Sequence, residues 1–122
     1  MTQEQKDLLL KDLCARLPYG VKLQFSYITT SPAILKGNDN GLIICDTAIC
    51  ELEDAKPYLL PLSSMTEEQD KEFALLQTSA GQEGFLYVCN CANMMKWLIE
   101  NHFDYNGLIP MGLANDATGL NI

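Results

Sequence analysis

The spacing of apolar residues changes abruptly within the first 27 residues, and that change restricts the chain to folds that mix helix and sheet. Leu9, Leu10, Leu13 and Leu17 recur at helical intervals, which sets an apolar stripe along one helix face. Val21, Leu23, Phe25 and Tyr27 then alternate with Lys22, Gln24 and Ser26, the two-residue period of a half-buried strand. Between the two stand Pro18, which cannot continue a helical hydrogen-bond ladder, and the turn Tyr19-Gly20. Thr2 and Gln5 have the spacing of a capping box. A first helix is expected over 3–16 and a first strand from residue 21.

Thr30-Ser31-Pro32 should end or kink that strand, with 33–36 a weaker candidate. Asn38-Asp39-Asn40-Gly41 has the chemistry of a tight hairpin, because Asn and Gly tolerate positive φ. Residues 42–45 and 48–52 read as strand again, either as two strands or as one bent strand. The sheet is therefore expected to be antiparallel and built mostly from 21–53. The stretch 56–62 carries Pro57 and Pro61, which argue against a central strand and for an extended connection laid on the core.

Thr66 and Gln69 again have capping-box spacing, and Glu67, Glu68 and Asp70 place negative charge at the positive end of a helix dipole. A helix over 67–78 should bury Phe73 and Leu76. Residues 85–89 form a short apolar run without a period of its own, read as strand. Asn90 then caps a third helix over 91–102, with Met94, Trp97, Leu98 and Asn101 as its buried stripe and Trp97 as its anchor on the sheet. Gly107 marks a left-handed exit, and 108–122 an irregular tail packed on the body. The outcome is a single α+β domain over 1–122, a small antiparallel sheet packed with about three helices.

Composition limits the chemistry. A chain of 122 residues, 48% hydrophobic and 20% charged, suits one domain with its own core. No apolar run approaches the ~20 residues that span a bilayer. The N-terminus is polar where a signal peptide is basic and then apolar, so a cytoplasmic location is expected. Five cysteines, an odd number, fit reduced thiols. The net charge is −8, and residues 51–72 hold seven acids against two bases. With a single arginine, Arg16, and no basic cluster, direct nucleic-acid binding is not expected. An acidic face suits either solubility or a basic protein partner.

Catalytic and metal constellations are weak. Cys45, Cys50, Cys89 and Cys91 show C-x₄-C and C-x-C spacings instead of zinc knuckles, and apolar flanks favour core cysteines. His102 has no marked nucleophile beside it and suits a helix C-terminus by dipole complementarity. Asp39 and Asp46 flank a turn that lacks a calcium-loop pattern. Gly107, Gly112 and Gly119 do not form a dinucleotide fingerprint. The pairs Glu67/Glu68 and Glu51/Glu53 read as solvated acids and not as acid–base pairs. No catalytic residue, metal or cofactor is expected.

Three segments carry a resemblance. Residues 5–22 (QKDLLLKDLCARLPYGVK), 53–68 (EDAKPYLLPLSSMTEE) and 97–114 (WLIENHFDYNGLIPMGLA) together resemble a large group of short proteins of unknown function from gut bacteria, their phages and mobile elements. The resemblance implies a reduced cytoplasmic setting and a mobile-element origin. It implies no activity, and no site residue is carried over from it.

Two functional classes remain. One is a small protein-interaction module that engages a host or element-encoded protein through an acidic face at Glu67, Glu68 and Glu72 or through its aromatic edge. The other is a ligand-binding domain or enzyme with a pocket between sheet and third helix, lined by Tyr27, Tyr58, Trp97 and His102, whose polar tips on apolar bodies suit a wet cleft. None of these features encodes an oligomeric state.

Overall fold

Thr2 opens α1 (Gln3–Arg16) with both bonds of a capping box. Its hydroxyl accepts from the Gln5 N–H at 3.1 Å, and the Gln5 side chain accepts from the Thr2 N–H at 3.0 Å. The computed structural model describes residues 1–25, 28–40, 42–46, 49–79 and 85–120. The buried stripe of α1 is Leu9, Asp12, Leu13 and Arg16, while Leu10 and Leu17 are half-buried. The expected leucine stripe is thus displaced by an acid and a base that neutralise each other. A 3-10 turn at Leu17–Tyr19 takes Pro18 at its start, and Gly20 leaves it at φ 69°.

The strands are β1 (Lys22–Phe25), β2 (Ile28–Asp39), β3 (Leu42–Cys45), β4 (Ile49–Glu51), β5 (Ala55–Leu59) and β6 (Asn115–Asp116), in sheet order β4-β3-β2-β1-β5-β6. Four pairs are antiparallel and the β5–β6 pair is parallel, so the sheet is mixed and not wholly antiparallel. Pro32 does not end a strand: β2 runs through it. The register against β1 slips between Leu23 and Phe25, and Pro32 falls in the slipped stretch, where no ladder donor is required of it. Segments 42–45 and 49–51 are two paired strands and not one bent strand. Asp46 ends β3, exchanging bonds with the Ile34 backbone at 2.9 and 3.1 Å.

The prolines at 57 and 61 also do not bar an internal strand. Leu59 O accepts from Ala117 N at 2.8 Å, so the odd positions of β5 aim their backbone polar groups toward β6. Pro57 shares that parity and takes no donor from the β1 ladder, while its ring is buried.

One core cluster joins Leu9 and Leu13 of α1 to Leu23, Ala33, Leu35, Ile43, Cys45, Cys50, Leu52 and Leu59, and is closed by Leu108, Leu113 and Ala114 of the C-terminal segment. Each fully buried leucine or isoleucine contributes about 1.5–3 kcal/mol relative to exposure. The segment after α3 is ordered by its own caps. The Asp104 carboxylate accepts from the N–H groups of Leu108 and Ile109 at 2.8 and 3.0 Å, and Gly112, at φ 77°, closes the turn.

Helices α2 (Glu67–Ser79) and α3 (Phe85–Glu100) form the remaining layer. Residues 85–89 are helix, not strand. Asn90 does not cap a helix but lies inside one: α3 runs through it from Phe85, so the extra turns at 85–89 need no new nucleus. Phe73 and Leu76 are half-buried instead of buried. The last regular turn of α3 ends at Glu100, two residues early. Phe103 N–H bonds Leu98 O at 2.9 Å and His102 N–H bonds Ile99 O at 3.0 Å, with His102 at φ 62°. That is a Schellman motif with histidine in the place glycine usually takes. The left-handed exit expected at Gly107 therefore occurs first at His102.

No helix among the described residues is long and apolar enough to cross a membrane.

Candidate functional site

Two concave regions hold the candidate residues, and they are separate. The first is an open depression of about 360 Å³ on the α2–α3 hairpin, lined by Glu72, Leu75, Leu76 and Trp97. Trp97 is half-buried, with its ring stacked between Phe73 and Phe103 at centroid distances of 5.5 and 5.6 Å. Its indole N–H donates to the Glu72 carboxylate at 3.0 Å. Phe103 is fully buried, so the stack runs from the body of the protein through Trp97 to α2. Trp97 thus anchors the hairpin more than it anchors α3 to the sheet. Glu67 and Glu68 lie exposed on the first turn of α2, which Thr66 and Gln69 cap reciprocally at 3.2 and 3.0 Å.

The second is a cavity of about 310 Å³ at the start of β1 and the end of β5, where Gly20, Lys22, Tyr58, Leu60, His102, Ala117 and Leu120 meet. The structure therefore brings Tyr58 and His102 together and places Trp97 elsewhere; Tyr27 lies outside the described residues. His102 Nδ1 is buried and has no hydrogen-bond partner among the described residues. Burial holds the His102 pKa below its ordinary value, and the charges of Arg16 and Lys22 act in the same direction. The imidazole is therefore neutral at pH 7. Lys22 read in sequence as part of the solvated strand face, which hid its place on this wall.

Sequence reasoning also missed a buried polar cluster. Asp12 and Arg16 are both 0% exposed, joined at 2.7 Å through Nε and at 3.3 Å through Nη2. Arg16 Nη2 also donates to Phe103 O at 2.6 Å, and Asn106 Nδ2 donates to Asp12 at 2.9 Å. The guanidinium lies 5.0 Å from the Tyr105 ring centroid, a cation–π distance. Burial and Asp12 push the Tyr105 hydroxyl pKa up. The signal was present: the chain's one arginine lies four residues after an acid, in register with Leu9 and Leu13.

The cysteine constellation divides. Cys14 is exposed, while Cys45 and Cys50 are buried and unbridged. Burial pushes the Cys45 thiol up to about 11, with Asp46 adding to it, and the Cys50 thiol up to about 12, with Cys45 and Asp54 adding to it. Both are protonated at neutral pH, the state least suited to nucleophilic attack or metal binding. The backbone of Cys89 and Cys91 belongs to α3, and their side chains lie outside the described ones. Among the described residues no group of three or more His, Cys, Asp or Glu side chains is placed to hold a metal ion.

The acids of 51–72 split between two places. Glu53 pairs with Lys6 at 2.6 Å beside the start of α1, and this contact raises the lysine pKa and lowers that of the glutamate. Glu67, Glu68 and Asp70 lie on α2 with no ion pair among the described residues. No protein-family model, no curated protein and no solved structure matches the chain.

Proposed function

We propose that the protein is a small cytoplasmic protein-interaction module of phage or mobile-element origin. In this reading it docks a basic, apolar-faced segment of a host or element-encoded protein on the α2–α3 hairpin. The observation that carries the docking role is Leu75, 70% exposed at the depression that Trp97 and Glu72 line. None of residues 67–76 is buried, and Met95 on α3 is exposed as well. An aromatic in a shallow apolar depression is the usual centre of a protein interface. The acids Glu67, Glu68 and Asp70, without an ion pair among the described residues, supply an attractive field for a basic partner. The origin and the cytoplasmic setting rest on the three resembling segments.

Affinity capture from a host lysate tests this with three baits: wild type, Leu75→Asp, and Glu67→Lys with Glu68→Lys. A partner retained by wild type and lost from both variants, and carrying a basic amphipathic helix, supports the reading. Equal capture by all three baits, or nothing above background with wild type, overturns it.

A further inference from the structure

We infer that the cavity walled by Lys22, Tyr58 and His102 binds a small organic carboxylate with an apolar body. This goes beyond the docking role, and none of its residues belongs to the hairpin surface, so the two proposals fail separately.

The sign of the charge is the first ground. Acids outnumber bases 16 to 8 in the whole chain, yet none of the described residues lining this cavity is an acid, and Lys22 lines it beside the uncharged His102 ring. An anion is repelled by most of this protein and attracted here.

His102 itself is the second. It holds a left-handed φ of 62° at a helix exit that glycine normally occupies, and it buries Nδ1 without a partner among the described residues. Glycine would remove both costs, so the backbone gives no reason for an imidazole at this position. Strain kept at a residue that lines a cavity is a mark of function.

Size and lining select the ligand. About 310 Å³ admits a ring-sized molecule, and Leu60, Ala117, Leu120 and the Tyr58 ring offer it apolar walls. Lys22 is the one lysine or arginine among the described lining residues. It matches a single negative charge, and the Tyr58 hydroxyl adds a neutral donor. A phosphate dianion would bring a second charge with no second cation to meet it. An anion beside His102 also opposes the effect of Arg16 and Lys22 on the ring, and so draws its pKa upward.

The test is an NMR titration of the full chain with three probes: benzoate, benzyl alcohol and inorganic phosphate. Benzoate should give saturable shifts at Lys22, Tyr58 and His102 and should raise the His102 pKa. Benzyl alcohol and phosphate should bind at least about tenfold more weakly, and Lys22→Gln should weaken benzoate by about tenfold while its spectrum stays that of a folded protein. Absence of saturable shifts with benzoate, equal binding of benzyl alcohol, preference for phosphate, or unchanged affinity in a folded Lys22→Gln protein would each overturn the assignment.

Discussion

The Arg16 guanidinium donates to the Phe103 carbonyl at 2.6 Å across a sequence separation of 87 residues, and so ties the last turn of α1 to the chain just beyond α3. Phe103 is also the inner member of the stack that carries Trp97. One buried ion therefore fixes the helix exit on which both concave regions depend: His102 precedes Phe103 on the cavity wall, and Trp97 rests against Phe103 in the hairpin.

Removing Arg16 alone from its ion pair with Asp12 should cost more than removing both side chains. Arg16→Met leaves the buried Asp12 carboxyl without its ion-pair partner, which typically costs about 3–5 kcal/mol. The double variant Asp12→Leu with Arg16→Met should recover part of this loss. Urea denaturation of wild type, the single variant and the double variant gives the comparison. An Arg16→Met protein as stable as wild type would show that the cluster contributes nothing.

His102 should give stability a pH dependence that sets in as the pH falls below about 6.5. Its folded pKa lies below the ordinary value of 6.5, so the unfolded chain takes up the proton first as pH falls. The contribution is complete above 6.5 and is lost as the pH drops through the folded value. Chemical denaturation at pH 7.5 and pH 5 should show a larger loss in wild type than in His102→Gln. His102→Gly should match or exceed wild-type stability at pH 7.5, because glycine avoids the ~1–2 kcal/mol cost of a left-handed side-chain residue.

Much of this architecture could be read from the sequence, and the exceptions share a cause. Thr2–Gln5 and Thr66–Gln69 marked their helix starts because a cap is a local device. The α1–β1 boundary was legible from the period change at Pro18. What was not legible depends on distant partners. Pro57 enters an internal strand because the parity of β5 is set by its neighbours β1 and β6. Residues 85–89 are helical because α3 continues through them. Tyr58 and His102 meet, and Trp97 does not join them, because its ring is held between Phe73 and Phe103. Arg16 stood in the sequence only as the chain's one arginine, because the carbonyl that it binds, Phe103, lies 87 residues away.

Native thiol labelling should separate the cysteines. Cys14 is exposed and should react readily at pH 8. Cys45 and Cys50, with thiols near 11 and 12, are nearly all protonated there and closed off from reagent. Mass spectrometry after a brief pulse should find label on Cys14 and not on these two until denaturant is added. Rapid native labelling of Cys50 would contradict its burial.

The Trp97–Glu72 bond and the two ring stacks should hold α2 in place. Trp97→Phe keeps an aromatic between Phe73 and Phe103 and loses the bond to Glu72, at about 0.5–1.5 kcal/mol. Trp97→Ala removes the stack as well and should cost about 2–4 kcal/mol, less than a fully buried tryptophan because the ring is half-exposed. Hydrogen exchange should then accelerate in α2 before it does in β1 or β2. Uniform acceleration across the sheet would place Trp97 in the common core instead.

Fluorescence of Trp97, the only tryptophan in the chain, reads out the docking surface from within. A synthetic basic amphipathic helix of lysine and leucine, titrated into the protein at low and at physiological salt, should shift the emission saturably to the blue. The affinity should fall as salt rises, since exposed charges are screened beyond about 8 Å at physiological ionic strength, and Leu75→Asp should abolish the shift. An emission spectrum unchanged by the basic helix, or changed equally by an acidic helix of the same apolar face, would contradict a docking role for the α2–α3 hairpin.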